Sequence, residues 1–420
     1  MLLLALLACT QNLPVKTAPP VAPPSPSPVT PPTPPATTPP PAAARILEVS
    51  YPATDTRKFG SSLRVYLPGA RPIRGVIVHQ HGCGRNGITM ANDLWWQALA
   101  DKWNFALLGT FFDGSCDEWA YPQKGSLAIL ETALEKFAGD ANAPELTTAP
   151  WALWGHSGGG NWTYFLTQQI PARIIANVPR SGSSDNLPQA SLGVPQLLSA
   201  GAFEKGDGTF GGAYLEAIDG FARERARGAP VALSIDPQAS HDLREGRRLH
   251  ILYLDAMIAL RLGASGLNAV DTNQGWLGNT TSLEVSSTPN YSGDKLKAAW
   301  FPNERVARAW QEFGRTGTVK DTTPPSAPTT VTATRTGNSV RLIWSAQADL
   351  ESGIKSFKIY RNGALISSLG DPFQGIDYGD EPQPQSPTLT FTDDQPGNAP
   401  SYEVSIVNGD GFESPRSPAK

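Results

Sequence analysis

The chain has 420 residues, a net charge of −4 and 17% charged residues, and its basic residues form no long run. That balance excludes an electrostatically driven nucleic-acid or anionic-membrane partner. A hydrophobic content of 40% supports a real core, the length suits two or three domains, and three cysteines are too few for a disulfide scaffold.

Residues 1–9 read Met-Leu-Leu-Leu-Ala-Leu-Leu-Ala-Cys, an apolar run that resembles a bacterial lipoprotein signal with Cys9 as the lipidated residue. The run is far too short to span a bilayer. Residues 10–44 are rich in Pro and Thr and cannot build a core, so an extended tether is expected, at ~3 Å per residue. Signal and tether together predict a secreted or cell-surface lipoprotein whose membrane attachment runs only through Cys9.

Residues 45–319 alternate strand and helix patterns. Strands are expected at 63–67, 75–79, 105–109, 174–178, 195–199 and 231–235, and helices at 94–103, 126–137 and 244–262. Such alternation predicts a mostly parallel sheet with helices on both faces. Between the second helix and the next strand lies Gly155-His156-Ser157-Gly158-Gly159, with the apolar run 150–154 before it and a candidate helix from Gly160 after it. Strand, glycine turn and helix form the elbow that exposes a nucleophilic serine. After the linker 321–328, residues 320–420 carry five short alternating strands separated by turn signals such as Asn362-Gly363, the pattern of a small β-sandwich.

A serine nucleophile needs a base, and the chain offers five histidines. His79 and His81 precede the elbow. His156 is the elbow's variable residue, expected to face away from the nucleophile, and His250 falls inside a helix. His241 lies in the loop after the last predicted strand, where the order serine, acid, histidine puts the base. The acid should follow the preceding strand, at Glu204, three residues after Gly201, with Asp207 as the alternative. The oxyanion donors are expected to be the amides of Gly158 and of Cys83, in the loop His81-Gly82-Cys83-Gly84. The His79-x-His81 pair has no third ligand nearby, so loop bracing is favoured over metal binding, and no metal or cofactor is expected. Seven of eleven tryptophans lie between Trp95 and Trp162 and could line an aromatic or sugar-bearing acyl pocket, although core packing is the commoner role.

The loop 81–84, the segment Trp96 to Ala106, the Cys116-x-x-Trp119 motif and the glycine-rich elbow resemble the α/β-hydrolase esterases of the polyhydroxybutyrate depolymerase and feruloyl esterase type, over roughly 45–262. The resemblance implies an α/β-hydrolase fold and hydrolysis of carboxylic esters through an acyl-enzyme, with a polymeric or aromatic ester as substrate. It also brings Cys83 and Cys116 together, implying a disulfide that braces the oxyanion loop; two separate buried thiols are the alternative. The C-terminal segment resembles a fibronectin type III module through its Asp-x-x-Pro-Pro opening at Asp321, Trp344, Asp349-x-x-Ser352-Gly353 and Tyr360-Arg361-Asn362-Gly363. That module is expected to be a spacer or surface contact. The leading expectation is a secreted serine esterase; the alternative is a non-catalytic adhesion or binding protein on a hydrolase fold, which the ordered serine, acid and histidine argue against. Neither the oligomeric state nor a lid role for residues 264–300 follows from the sequence.

Overall fold

Eight apolar strand segments pair into one sheet: β1 (Arg45–Tyr51), β2 (Ser61–Leu67), β3 (Gly75–Gln80), β4 (Phe105–Phe112), β5 (Trp151–His156), β6 (Ile174–Arg180), β7 (Gln196–Gly201) and β8 (Val231–Asp236). Their spatial order is β1-β2-β4-β3-β5-β6-β7-β8. The β1, β2 and β4 pairings are antiparallel, and every pairing from β4 through β8 is parallel. This computed structural model describes residues 44–182, 185–370 and 389–420. The expected signal and all but the last residue of the tether lie outside them.

Strands β3 to β8 are buried on both faces, so alternate side chains feed two different cores. Val76, Val78, Trp151 and Leu153 enter one, closed by Leu130, Leu134 and Phe137 of α3 (Ser126–Ala141) and by Trp162 and Leu166 of α4 (Gly158–Gln169). Ile77, Ala152 and Trp154 enter the other, closed by Trp96 and Leu99 of α1 (Leu94–Trp103), Phe221 of α5 (Gly211–Ala226) and Leu249 and Leu254 of α6 (Gly246–Arg261). Each such side chain contributes about 1.5–3 kcal/mol by leaving water. A one-turn helix, α2 (Cys116–Trp119), follows β4. Trp96, Trp119, Trp151, Trp154 and Trp162 are fully buried. They are core, and no acyl pocket is built from them.

Residues 264–300 are not a free flap. They supply β9 (Trp276–Gly278), β10 (Val285–Ser287) and β11 (Ala299–Phe301), a small antiparallel sheet in the order β10-β9-β11. Helix α7 (Glu304–Thr316) follows, and its Trp310 packs on Phe301 and donates through Nε1 to Leu233 O of β8 at 2.6 Å. Arg225 of α5 holds the same segment through the carbonyls of Lys295 and Ala298.

The C-terminal part is a two-sheet antiparallel sandwich. One sheet is β12 (Thr329–Thr336), β13 (Ser339–Ser345) and β16 (Thr390–Asp393); the other is β15 (Ala364–Leu369), β14 (Ser356–Arg361), β17 (Tyr402–Val407) and β18 (Ser417–Pro418). Trp344 and Phe357 meet edge to face between them, at 5.4 Å.

The described residues from Ala44 to Lys420 belong to one compact unit, and the sandwich packs directly on the larger layer. Trp95 of α1 is 9% exposed; it donates through Nε1 to Leu350 O at 2.9 Å and lies so close to Gly353 that a Cβ there would meet its ring at 2.7 Å. Arg248 of α6 pairs with Asp410 at 2.6 Å and bonds Val319 O at 3.0 Å. The expected spacer is therefore a docked module.

Candidate active site

The site lies at the carboxyl ends of β5, β6, β7 and β8, where loops leave a parallel sheet. At the end of β5 the chain reverses into α4 through Ser157, whose φ of 55° and ψ of −125° put a non-glycine residue in a strained region. The turn is so tight that a Cβ on Gly159 would run into the carbonyls of Gln80 and His81. Ser157 is partly exposed while its neighbours are buried. A strained serine between strand and helix, set in the middle of a sheet of this order, decides the architecture. The chain has an α/β-hydrolase fold.

His241 follows β8 and Glu204 follows β7. The His241 Nδ1–H donates to Glu204 Oε1 at 2.6 Å, with Glu204 fully buried. Glu204 Oε2 accepts from the Gly201 amide at 3.1 Å and lies 3.7 Å from Arg180 Nη1. A carboxylate so held fixes the tautomer that leaves His241 Nε2 unprotonated, and that atom has no hydrogen-bond partner among the described residues. Asp207 does not join this pair. It is exposed and accepts from the amides of Thr209 and Phe210 at 2.7 and 2.8 Å, and those bonds lower its pKa.

The loop carrying Cys83 lies directly over Ser157: a Cβ on Gly82 would sit 3.0 Å from Ser157 Cβ. Cys83 is disulfide-bonded to Cys116, and both sulfurs crowd Gly158 so closely that any side chain there would collide with them. Gly158 is the first residue of α4, so its amide is not used within the helix and carries the positive end of the helix dipole. Ser157, Gly158 and Cys83 are thus neighbours, and no buried-thiol alternative remains for this cysteine pair.

The other histidines are buried, and burial holds each of them neutral. His79 stacks on Trp154 with ring centroids 4.0 Å apart. His81 is pushed down to about 3 by burial, as is His250. His250 accepts from Trp154 Nε1 at 3.1 Å through Nδ1. Among the described residues no group of three His, Cys, Asp or Glu could hold a metal ion. His156 turns toward the loop that carries His241: its ring lies 4.8 Å from that of His241, and its Nε2 is 2.7 Å from His241 O.

Two further residues at the site carry no sequence motif. Arg180, at the end of β6, is 1% exposed; it bonds Ser240 O at 2.9 Å and Asp242 O at 2.5 Å, while its own carbonyl accepts from the Ser157 amide at 2.8 Å. Phe210 stacks flat on the His241 ring, with centroids 3.8 Å apart and planes 11° from parallel.

No protein-family model and no curated protein matches the chain. Among solved structures it is similar to poly(aspartic acid) hydrolase-1 from Sphingomonas sp. KT-1, at 14% identity and TM-score 0.37, over 48% of this chain and 94% of that one. It is similar to an S-formylglutathione hydrolase from Staphylococcus aureus, at 15% identity and TM-score 0.37, over 53% and 100%. It is also similar to a ferulic acid esterase, at 12% identity and TM-score 0.36, over 48% and 92%.

Proposed function

We propose that the protein is a serine hydrolase of carboxylic esters. The observation that carries the reading is the 2.6 Å pair between His241 Nδ1 and Glu204 Oε1, formed by loops that leave the sheet beside the strained Ser157. In this reading His241 Nε2 takes the proton from Ser157 Oγ as the oxygen attacks the ester carbonyl. The amides of Gly158 and Cys83 receive the developing oxyanion. His241 then gives its proton to the departing alcohol, leaving an acyl group on Ser157. Water, deprotonated by the same imidazole, releases the acid. Glu204 stabilises the imidazolium at each stage without itself becoming protonated.

The substrate is proposed to be an aromatic or polymeric ester. The exposed Phe203 and the Phe210 ring against His241 support an apolar group beside the base. Export with a lipid on Cys9 belongs to the same reading, as does a fibronectin type III identity for the sandwich; incorporation of a palmitate analogue into Cys9 tests the former.

A panel of chromogenic short- and long-chain esters, feruloyl esters and polyhydroxybutyrate tests the activity, with Ser157→Ala run alongside. The wild type is expected to turn over at least one ester, and Ser157→Ala to lose about 10⁴-fold or more in kcat. No turnover by the wild type, or equal turnover by both proteins, overturns the reading.

A further inference from the structure

We propose that His156 and Arg180 are positioning residues which together clamp the loop carrying His241 against the nucleophile elbow. The inference rests on the catalytic reading above and adds what sets the distance between base and nucleophile. Three successive carbonyls of the loop, those of Ser240, His241 and Asp242, accept hydrogen bonds from these two side chains at 2.9, 2.7 and 2.5 Å. A carbonyl can only accept, so His156 Nε2 carries the ring's proton and donates it. Burial supports this state by keeping the imidazole neutral, with the nearby His241 and Arg180 acting in the same direction.

The origin of the two clamps matters as much as their target. His156 is the residue before Ser157, and Arg180 O accepts from the Ser157 amide at 2.8 Å. Both side chains therefore project from the two strand ends that frame the nucleophile. The His241 loop belongs to a different strand, β8, two strands beyond β6 in the sheet. Without the clamp, base and nucleophile would be related only through that stretch of sheet and a loop. With it, the His241 backbone is tied directly to the elbow. Arg180 also lies 3.7 Å from Glu204 Oε2, so one guanidinium touches the acid and both flanks of the base.

Burying a guanidinium is costly unless its donors are used, and here they reach two carbonyls of a single loop, the Ser181 hydroxyl and the Glu204 carboxylate. Nη2 bonds both Ser240 O and Asp242 O while Nη1 bonds Ser181 Oγ and faces Glu204, so the planar guanidinium reaches the loop and the acid at once, whereas an ammonium offers one point of charge. Neither side chain donates to Ser157 or to the His241 ring, so neither is a catalytic residue. Each acts through the position of His241.

The test uses the full chain and a chromogenic ester that the wild type hydrolyses, with Ser157→Ala as the inactive reference. His156→Leu removes the donor, His156→Gln keeps an N–H near the place of Nε2, and Arg180→Lys removes the fork. Because a misplacement of about 1 Å can cost about 100-fold, His156→Leu and Arg180→Lys are expected to lower kcat about 10- to 100-fold. KM should stay within about threefold, since ground-state binding is untouched. His156→Gln should recover kcat to within about fivefold of wild type, whatever its effect on Tm. The inference is overturned if His156→Leu or Arg180→Lys keeps kcat within about twofold of wild type. It is equally overturned if the loss follows Tm alone and glutamine restores neither; where one variant does not fold, the other decides. Absence of wild-type turnover overturns the catalytic reading as well, whereas normal turnover in the clamp variants with an inactive Ser157→Ala overturns the clamp alone.

Discussion

Glu204 and Asp207 are three residues apart and their surroundings could hardly differ more. One is sealed from water with an imidazole, an amide and a guanidinium around it; the other is exposed and ties down the turn that leads into α5. Glu204→Gln is expected to lower kcat by about 10²- to 10⁴-fold, because the amide no longer favours the productive tautomer or the imidazolium. Asp207→Asn should leave kcat within about threefold, since no contact to His241 is lost. Steady-state kinetics on the two variants checks this, and the reverse ranking would remove Glu204 from the triad. At this scale chain order was a usable guide to placement. The expected pairing of His241 with Glu204 is present as a hydrogen bond, and the expected turn between strand and helix falls at Ser157, while their catalytic roles belong to the proposal. The sequence was silent on Arg180, whose side chain bonds two carbonyls some sixty residues away, and on the partner that His156 takes. A residue in the variable place of the elbow does point off the nucleophile, but the direction it takes leads to the base loop.

Among the elements, the loop that carries Cys83 and the start of α4 depend on one another. The Cys83–Cys116 bridge spans a separation of 33 residues, and closing a loop of that length stabilises a fold by about 3–4 kcal/mol through the unfolded chain. Its sulfurs also press on Gly158, so the bridge helps fix the loop over Ser157. The double substitution Cys83→Ala and Cys116→Ala should therefore lower Tm and also reduce kcat by about 10-fold or more at temperatures where the protein remains folded. Thermal melts paired with kinetics separate the two effects, and an unchanged kcat would leave the bridge a stabilising role only. Elements with a clear period were readable: Leu94–Trp103 has the bounds that its pattern predicts. Helix α7 was not among the expected helices, although Val306, Trp310 and Phe313 fall at i, i+4 and i+7. Helix α5 was not readable, because Gly211, Gly212 and Gly220 weaken its propensity and its stability comes from packing on β7 and β8. Strands of three residues, as in β9 to β11, are shorter than any alternation can reveal.

Across the whole molecule, the sandwich is part of the folded body rather than an appendage. Trp95 presses on Gly353, Arg248 reaches Asp410, and Arg305 of α7 reaches Glu351. A linker rich in proline gave no hint of this, since a tether and a docked connector share the same composition. Removing the Trp95 side chain opens a large void in the contact, and such truncations cost about 3–5 kcal/mol when the ring is fully enclosed. Trp95→Ala is thus expected to lower Tm by several degrees with kcat little changed; calorimetry would show it, and an unaltered Tm would mean that the contact adds nothing to stability.

The same contact has a consequence in time. Trp95 and its partner Leu350 are 255 residues apart. At about 5–20 residues per second, roughly 13–50 s pass between the synthesis of the indole and the synthesis of its cover. Until Leu350 and Gly353 are made, the indole lacks the carbonyl that bonds its Nε1 and the backbone that covers its ring, although Arg247 of α6 can already lie over it. The segment around Leu350 and Gly353 then works as an internal seal that synthesis applies late to a helix made early.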